Sequence, residues 1–149
     1  MRAWSALPLL LLLGAAAPPA AAQPRSFSCV GAEWLEDDVF AIPFARMSAT
    51  VEEAARAPLA AAAALARANP LRLICVLGHA AADEGGATTG QRLAASRARA
   101  VAERLAAMGV ERDRIRAEAR HASFMPRPRR DPWAGRSATI VVLPEPVTP

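Results

Sequence analysis

Apolar runs and polar breaks divide the chain into a short series of elements. Val39-Phe40-Ala41-Ile42-Pro43-Phe44 reads as a first strand. Pro43 lacks an amide proton and so places that strand at a sheet edge or a bulge. Thr50-Val51-Glu52-Glu53 has the form of a capping box, which predicts a helix running to about Ala68. Pro58 inside it predicts a kink or a restart, and Asn69-Pro70 stops it. Leu71 to Leu77 is nearly continuous in apolar residues, the pattern of a strand buried on both faces. Gly78 to Gly90 reads as a loop of small residues, and Gln91 to Met108 as a second helix closed by Gly109. Ile115 to Ala119 is a weakly alternating third strand and Ala138 to Leu143 a final apolar one. Between them His121 to Gly135 is a Pro/Arg loop, and from Pro144 the chain reads as a tail with little order. The order β-α-β-α-β-β predicts an α/β (α+β) sandwich, with helices packed on one face of a small mixed sheet.

The second helix carries the first chemical signal. Projected at 100° per residue, Leu93, Ala94, Ala98, Val101, Leu105 and Met108 share one face, with Arg92, Arg99 and Glu103 opposite. Arg97 lies about 40° from the centre of the apolar stripe. An inward guanidinium needs a partner, because an unpaired buried charge is costly. A carboxylate of the protein or an anionic ligand would supply it; the alternative is an arginine whose stem packs while its head reaches water.

The chain ends and composition set the context. Arg2, the apolar run Leu9 to Leu13 and the small residues Ala20-Ala21-Ala22 form a secretory signal, with cleavage expected after Ala22. Residues 23–38 then form an N-terminal arm, 39–143 one domain and 144–149 the tail. The arm carries Glu33, Glu36, Asp37 and Asp38 around Trp34, a solvated face or a contact for something basic. All 18 basic residues are arginine, and the net charge of +4 is too mild and scattered for a nucleic-acid partner. Export would place Cys29 and Cys75 in an oxidising compartment, where a disulfide between them is plausible. Ser26-Phe27-Ser28 before Cys29 is a poor lipobox, so no lipid anchor is expected.

Several motifs fall together in one order. They are the Phe40-to-Phe44 strand, Asn69-Pro70, Gly78-His79, Leu93-x-x-Ser96-Arg97-Ala98-x-x-Val101, Gly109-Val110 with Arg114-Ile115, and Gly135-Arg136-Ser137-Ala138. In this the chain resembles the OmpA-like domain family over residues 39–143. The resemblance implies that fold, a location in the periplasm of a Gram-negative envelope, in association with the outer membrane, and non-covalent binding of peptidoglycan. In the family an Asp after Gly-His-Thr holds the ammonium of a diaminopimelate stem residue, and the helix arginine grips its carboxylate. That implies a ligand site at Arg97, Gly78 and His79, with Arg136 from the pair before the last strand. Here, however, Ala80-Ala81 replace Thr-Asp, Gly90 and Ala94 replace an Asn and a Ser, and Ala45-Arg46 stand where the first strand region has an Asp. Asp83 and Glu84 come next in the loop. Three readings stay open: Asp83 takes the missing carboxylate's place, Arg97 alone binds another anion, or the domain is a scaffold that docks on envelope proteins.

Other chemistry is poorly supported. His79, His121, Cys75 and Asp83 match no compact metal-ligand spacing, so no cofactor or metal is expected. No nucleophile-elbow motif occurs, and Asp83-Glu84 are sequence neighbours rather than a facing catalytic pair, so an enzyme is not expected. Arg127, Arg129, Arg130 and Trp133 in the Pro/Arg loop would suit an anionic surface or a solvated connector.

Overall fold

The computed structural model describes residues 25–120 and 135–146. Residues 1–24, which include the expected signal segment, the Pro/Arg loop from His121 to Ala134 and the last three residues lie outside the described residues. Six elements carry the fold: β1 (Val39–Pro43), α1 (Arg56–Ala68), β2 (Ile74–Gly78), α2 (Gly86–Ala107), β3 (Ile115–Ala119) and β4 (Ser137–Val142). The sheet order is β1-β4-β2-β3. β2 pairs parallel with β3, and β4 runs antiparallel to both β1 and β2. The sheet is therefore mixed, as expected, and β1 with its Pro43 is at an edge.

β2 is one of the two interior strands, with β4, and all five of its residues are buried. Its alternate residues serve two cores. Ile74 and Val76 face the helices, with Ile42, Leu59, Ala62, Ala63, Ala66, Val101, Leu105 and Ile140. Cys75 and Leu77 face the other way, with Val141, Cys29 and Ala32. The alanines of α1 let that helix lie close on the sheet, which is why an alanine-rich segment still builds a core.

The second core is closed by the N-terminal arm. Cys29 and Cys75 form a disulfide, with Cα atoms 5.8 Å apart. β3 holds the arm from the side: Arg116 donates to the carbonyl of Phe27 and Arg120 to that of Cys29. Glu33, read with its neighbours as part of a solvated acidic face, is buried and lies 3.6 Å from Arg120.

The helix starts differ from expectation. Ser48, not Thr50, provides the local hydroxyl, accepting from the Thr50 amide, and no side chain caps the turn at Glu52. A short 3-10 turn (Glu53–Ala55) leads into α1, so Pro58 falls in the first helical turn. There its missing amide proton would have had no intrahelical acceptor, and no kink is needed. α2 begins at Gly86, five residues before the expected Gln91. It ends as expected at Gly109, which has φ +92°. The amides of Gly109 and Val110 return to the carbonyls of Ala106 and Leu105, closing the helix in a Schellman motif. Among the described residues no helix is long and apolar enough to cross a membrane.

The Cys29–Cys75 link spans 46 residues of sequence. Chain-entropy arguments give a loop of that size about 4 kcal/mol. A Cys29→Ser/Cys75→Ser variant should lose about that much stability in urea titrations; an unchanged midpoint would show that packing alone holds the arm.

Candidate functional site

The site lies where β2 ends against α2. Gly78 is needed there because a Cβ at that position would stand 1.9 Å from the carbonyl oxygen of Ala94 and 3.0 Å from the Cβ of Ala98. Any side chain would push α2 off the sheet. This close approach brings Arg97, one turn further along α2, level with the end of the strand.

Arg97 and Glu84 both have side chains with no solvent exposure. Arg97 Nη1 donates to Glu84 Oε2 at 2.8 Å and Nη2 to Oε1 at 2.6 Å, a bidentate pair. The remaining guanidinium protons go to main-chain carbonyls: Nε to Ser48 at 2.8 Å, Nη1 to His79 at 2.9 Å and Nη2 to Ala45 at 3.1 Å. All five N–H donors of an arginine are thereby used. The Phe44 ring lies 5.3 Å from the guanidinium carbon, within cation–π range.

Glu84 is equally saturated. Oε1 also accepts from the Met47 amide at 2.8 Å and Oε2 from the Ala81 amide at 2.8 Å. Burial by itself would raise its pKa. The hydrogen bonds from Arg97, Ala81 and Met47 and the guanidinium charge outweigh that and hold the carboxyl at about 2, against an ordinary 4.5. Met47 aims its amide from φ +57°, the left-handed region that is strained for a residue with a Cβ.

Asp83 faces the opposite way. Its side chain is 59% exposed and lies 3.4 Å from Arg46 Nε and 3.8 Å from Arg136 Nη1. Arg46 Nη2 also donates to the Asp83 carbonyl at 3.0 Å. Arg46 is 61% and Arg136 33% exposed. This rim carries two positive charges and one negative, beside a pair that is neutral overall.

The structure thus brings Gly78, His79, Arg97, Asp83 and Arg136 to one end of the sheet. Asp83 and Arg136 share the rim. Arg97 does not join them, because every donor it has is committed inside the protein. Two contributors were not singled out from sequence. Glu84 had a signal, since an inward arginine requires an acid and this one stands next to Asp83. Arg46 had none beyond occupying a position where the family has an acid. Among the described residues no three His, Cys, Asp or Glu side chains gather as a metal site.

The pair should be structural. Arg97→Ala leaves a buried carboxylate unpaired and should cost about 3–5 kcal/mol. Glu84 binds its proton more weakly folded than unfolded, so its contribution is complete above pH ~4.5 and fades as pH falls through ~2, a change of about 3 kcal/mol. Urea midpoints of wild type and Glu84→Gln should converge over that acid window. Curves that stay parallel from pH 6 to pH 2 would show that the Glu84 charge is not what stabilises the site.

Comparison with known proteins places this geometry. The sequence model of the OmpA family matches residues 43–137. Among solved structures, the peptidoglycan-associated lipoprotein of Burkholderia pseudomallei superposes with a TM-score of 0.58 at 23% identity, covering 70% of this chain and 90% of that one. The OmpA-like domain of FopA1 from Francisella tularensis gives 0.60 at 20% identity, covering 74% and 77%. A MotB-like protein of Desulfovibrio vulgaris gives 0.54 at 16%, covering 72% and 76%. At these identities the likenesses establish the fold. No curated protein matches the chain by sequence.

Proposed function

The chain belongs to the OmpA family, and on that premise we propose that it is an exported envelope protein that associates non-covalently with peptidoglycan through the rim around Asp83. The observation that carries this reading is the placement of charge. Asp83 offers an exposed carboxylate, whose Oδ2 lies within 4 Å of both Arg46 and Arg136. A diaminopimelate residue in a stem peptide presents an ammonium and a carboxylate on one carbon. Asp83 suits the ammonium, and the planar forks of Arg46 and Arg136 suit the carboxylate. The rim's net charge of +1 favours an anionic peptide. Compared with the family pattern, Asp83 stands in for the missing Asp, while the role of the buried arginine passes to arginines at the surface. The protein acts by binding rather than by catalysis.

Export is supported by the signal-like residues 1–22 and by the Cys29–Cys75 disulfide, which belongs to an oxidising compartment such as the periplasm. The mature protein would be peripheral to the outer membrane.

The test is co-sedimentation with purified peptidoglycan, with and without free diaminopimelate. The expected result is binding that diaminopimelate displaces, weakened about tenfold, or about 1.4 kcal/mol, by Asp83→Asn or Arg136→Ala. Failure to pellet, or pelleting indifferent to both variants, would overturn the reading.

One observation favours a second reading. The arginine that the family turns toward ligand is fully occupied by Glu84, Ala45, Ser48 and His79. A scaffold that docks on other envelope proteins would need no free arginine. It would instead yield a stoichiometric protein partner from envelope extracts that is retained by Asp83→Asn.

A further inference from the structure

Seven described residues have a positive φ, and five of them are glycines: Gly31, Gly85, Gly86, Gly109 and Gly135. Glycine enters this region without steric cost. The sixth is Asp38, at φ +56°. Aspartate tolerates the left-handed region, and this side chain has a task in the fold, accepting from Arg72 at 2.6 Å. The seventh is Met47, at φ +57°. A methionine side chain makes no local hydrogen bond that would offset the steric cost there.

What the fold asks of position 47 is carried by the main chain. The Met47 amide donates to Glu84 Oε1 at 2.8 Å. A glycine would supply the same amide from the same φ without strain. The methionine side chain belongs to neither core and is 49% exposed. It follows Arg46, which reaches Asp83, and the carbonyls of Ala45 and Ser48 around it are fixed by Arg97. A rigid backbone thus holds an exposed, apolar side chain at the edge of the charged rim. Strain kept at such a place points to a contact outside the chain.

We propose that the Met47 side chain is the apolar contact of the rim, lying along the methylene chain of the amino acid whose charged end Asp83, Arg46 and Arg136 receive. This rests on the reading of the rim given above and deepens it. The preferred ligand becomes a zwitterionic carbon carried on an aliphatic chain, rather than any residue with an ammonium and a carboxylate. A thioether with three rotatable bonds suits the purpose, because it adapts to a chain whose position is set by charges elsewhere. Burying one methylene against it is worth about fourfold in affinity.

Three substitutions in the full chain separate contact from fold. Met47→Gly removes the side chain and keeps the amide. Met47→Asn keeps a side chain that tolerates positive φ but is polar. Met47→Leu keeps apolar bulk. Melting temperatures of Met47→Gly and Met47→Asn should stay at or above wild type, since relief of strain offsets the freedom that glycine adds to the unfolded chain. In co-sedimentation with peptidoglycan both should bind about fourfold more weakly, with Met47→Leu within about twofold of wild type. Free diaminopimelate should displace wild type at lower concentration than glycine does, and that gap should narrow in Met47→Gly. Wild-type binding by Met47→Gly and Met47→Asn would overturn the proposal. So would failure of both to fold, or melting about 5 °C or more below wild type, which would give the side chain a role in the fold. If wild type pellets and Asp83→Asn weakens it while Met47→Gly does not, this proposal fails alone. If wild type does not pellet, the reading of the rim fails and this proposal with it.

Discussion

A guanidinium placed out of reach of water must find acceptors for five protons and a counter-charge, or the fold loses several kcal/mol. Arg97 meets this demand with Glu84 and the carbonyls of Ala45, Ser48 and His79. Those partners come from the segment after β1, the end of β2 and the turn before α2. One side chain thus fixes the relative positions of three chain segments at the end of the sheet. Gly78 makes the arrangement reachable by letting α2 approach β2. The early start of α2 also follows: the turn from Ala81 to Glu84 is pinned before the chain reaches Gly85, so the Gly/Thr stretch enters a helix already oriented.

The same device recurs, which gives the lysine-free composition a structural meaning. Arg114 is buried and donates to Arg72, Ala66 and Asn69 carbonyls, closing the C-terminal end of α1. Arg67 donates to the Met108 carbonyl at the end of α2. Arg72 spans the carbonyls of Val142 and Leu143 and reaches Asp38. A planar fork can hold several carbonyls at once in fixed directions, whereas an ammonium is a single strongly hydrated point. With a core rich in alanine, these forks supply connections between elements that larger apolar side chains would otherwise provide.

What could be read from sequence follows from what periodicity can carry. The continuous apolar run fixed β2 as a strand with two covered faces, and the helical wheel turned Arg97 inward, because both depend on which residues leave water. Gly109 was legible because its left-handed turn has a residue-specific cause. The start of α2 was not legible: Gly86-Ala87-Thr88-Thr89-Gly90 has loop composition, and its helicity is imposed by the tertiary pinning of Glu84. The capping box failed for a similar reason, since Ser48 took the local hydrogen bond and left Thr50 outside. Choosing between Asp83 and Glu84 was beyond the pattern, because neighbouring carboxylates differ only in which way the loop turns them.

That difference between neighbours shapes what the site can do. A domain that relied on a ligand's carboxylate to neutralise Arg97 would carry a buried, unpaired cation whenever the ligand was absent. Glu84 removes this dependence, so the folded state is complete without a partner. The exposed charges at this end of the sheet, which the proposed function assigns to recognition, are those that water can already solvate: Asp83, Arg46 and Arg136. Interactions among exposed charges are weakened by salt and by their own hydration. A rim of this kind therefore favours reversible contact with a repeating polymer, where many modest attachments add, over tight capture of one small molecule. On the reading proposed above, stability rests on Glu84 inside the domain and recognition on Asp83 outside it.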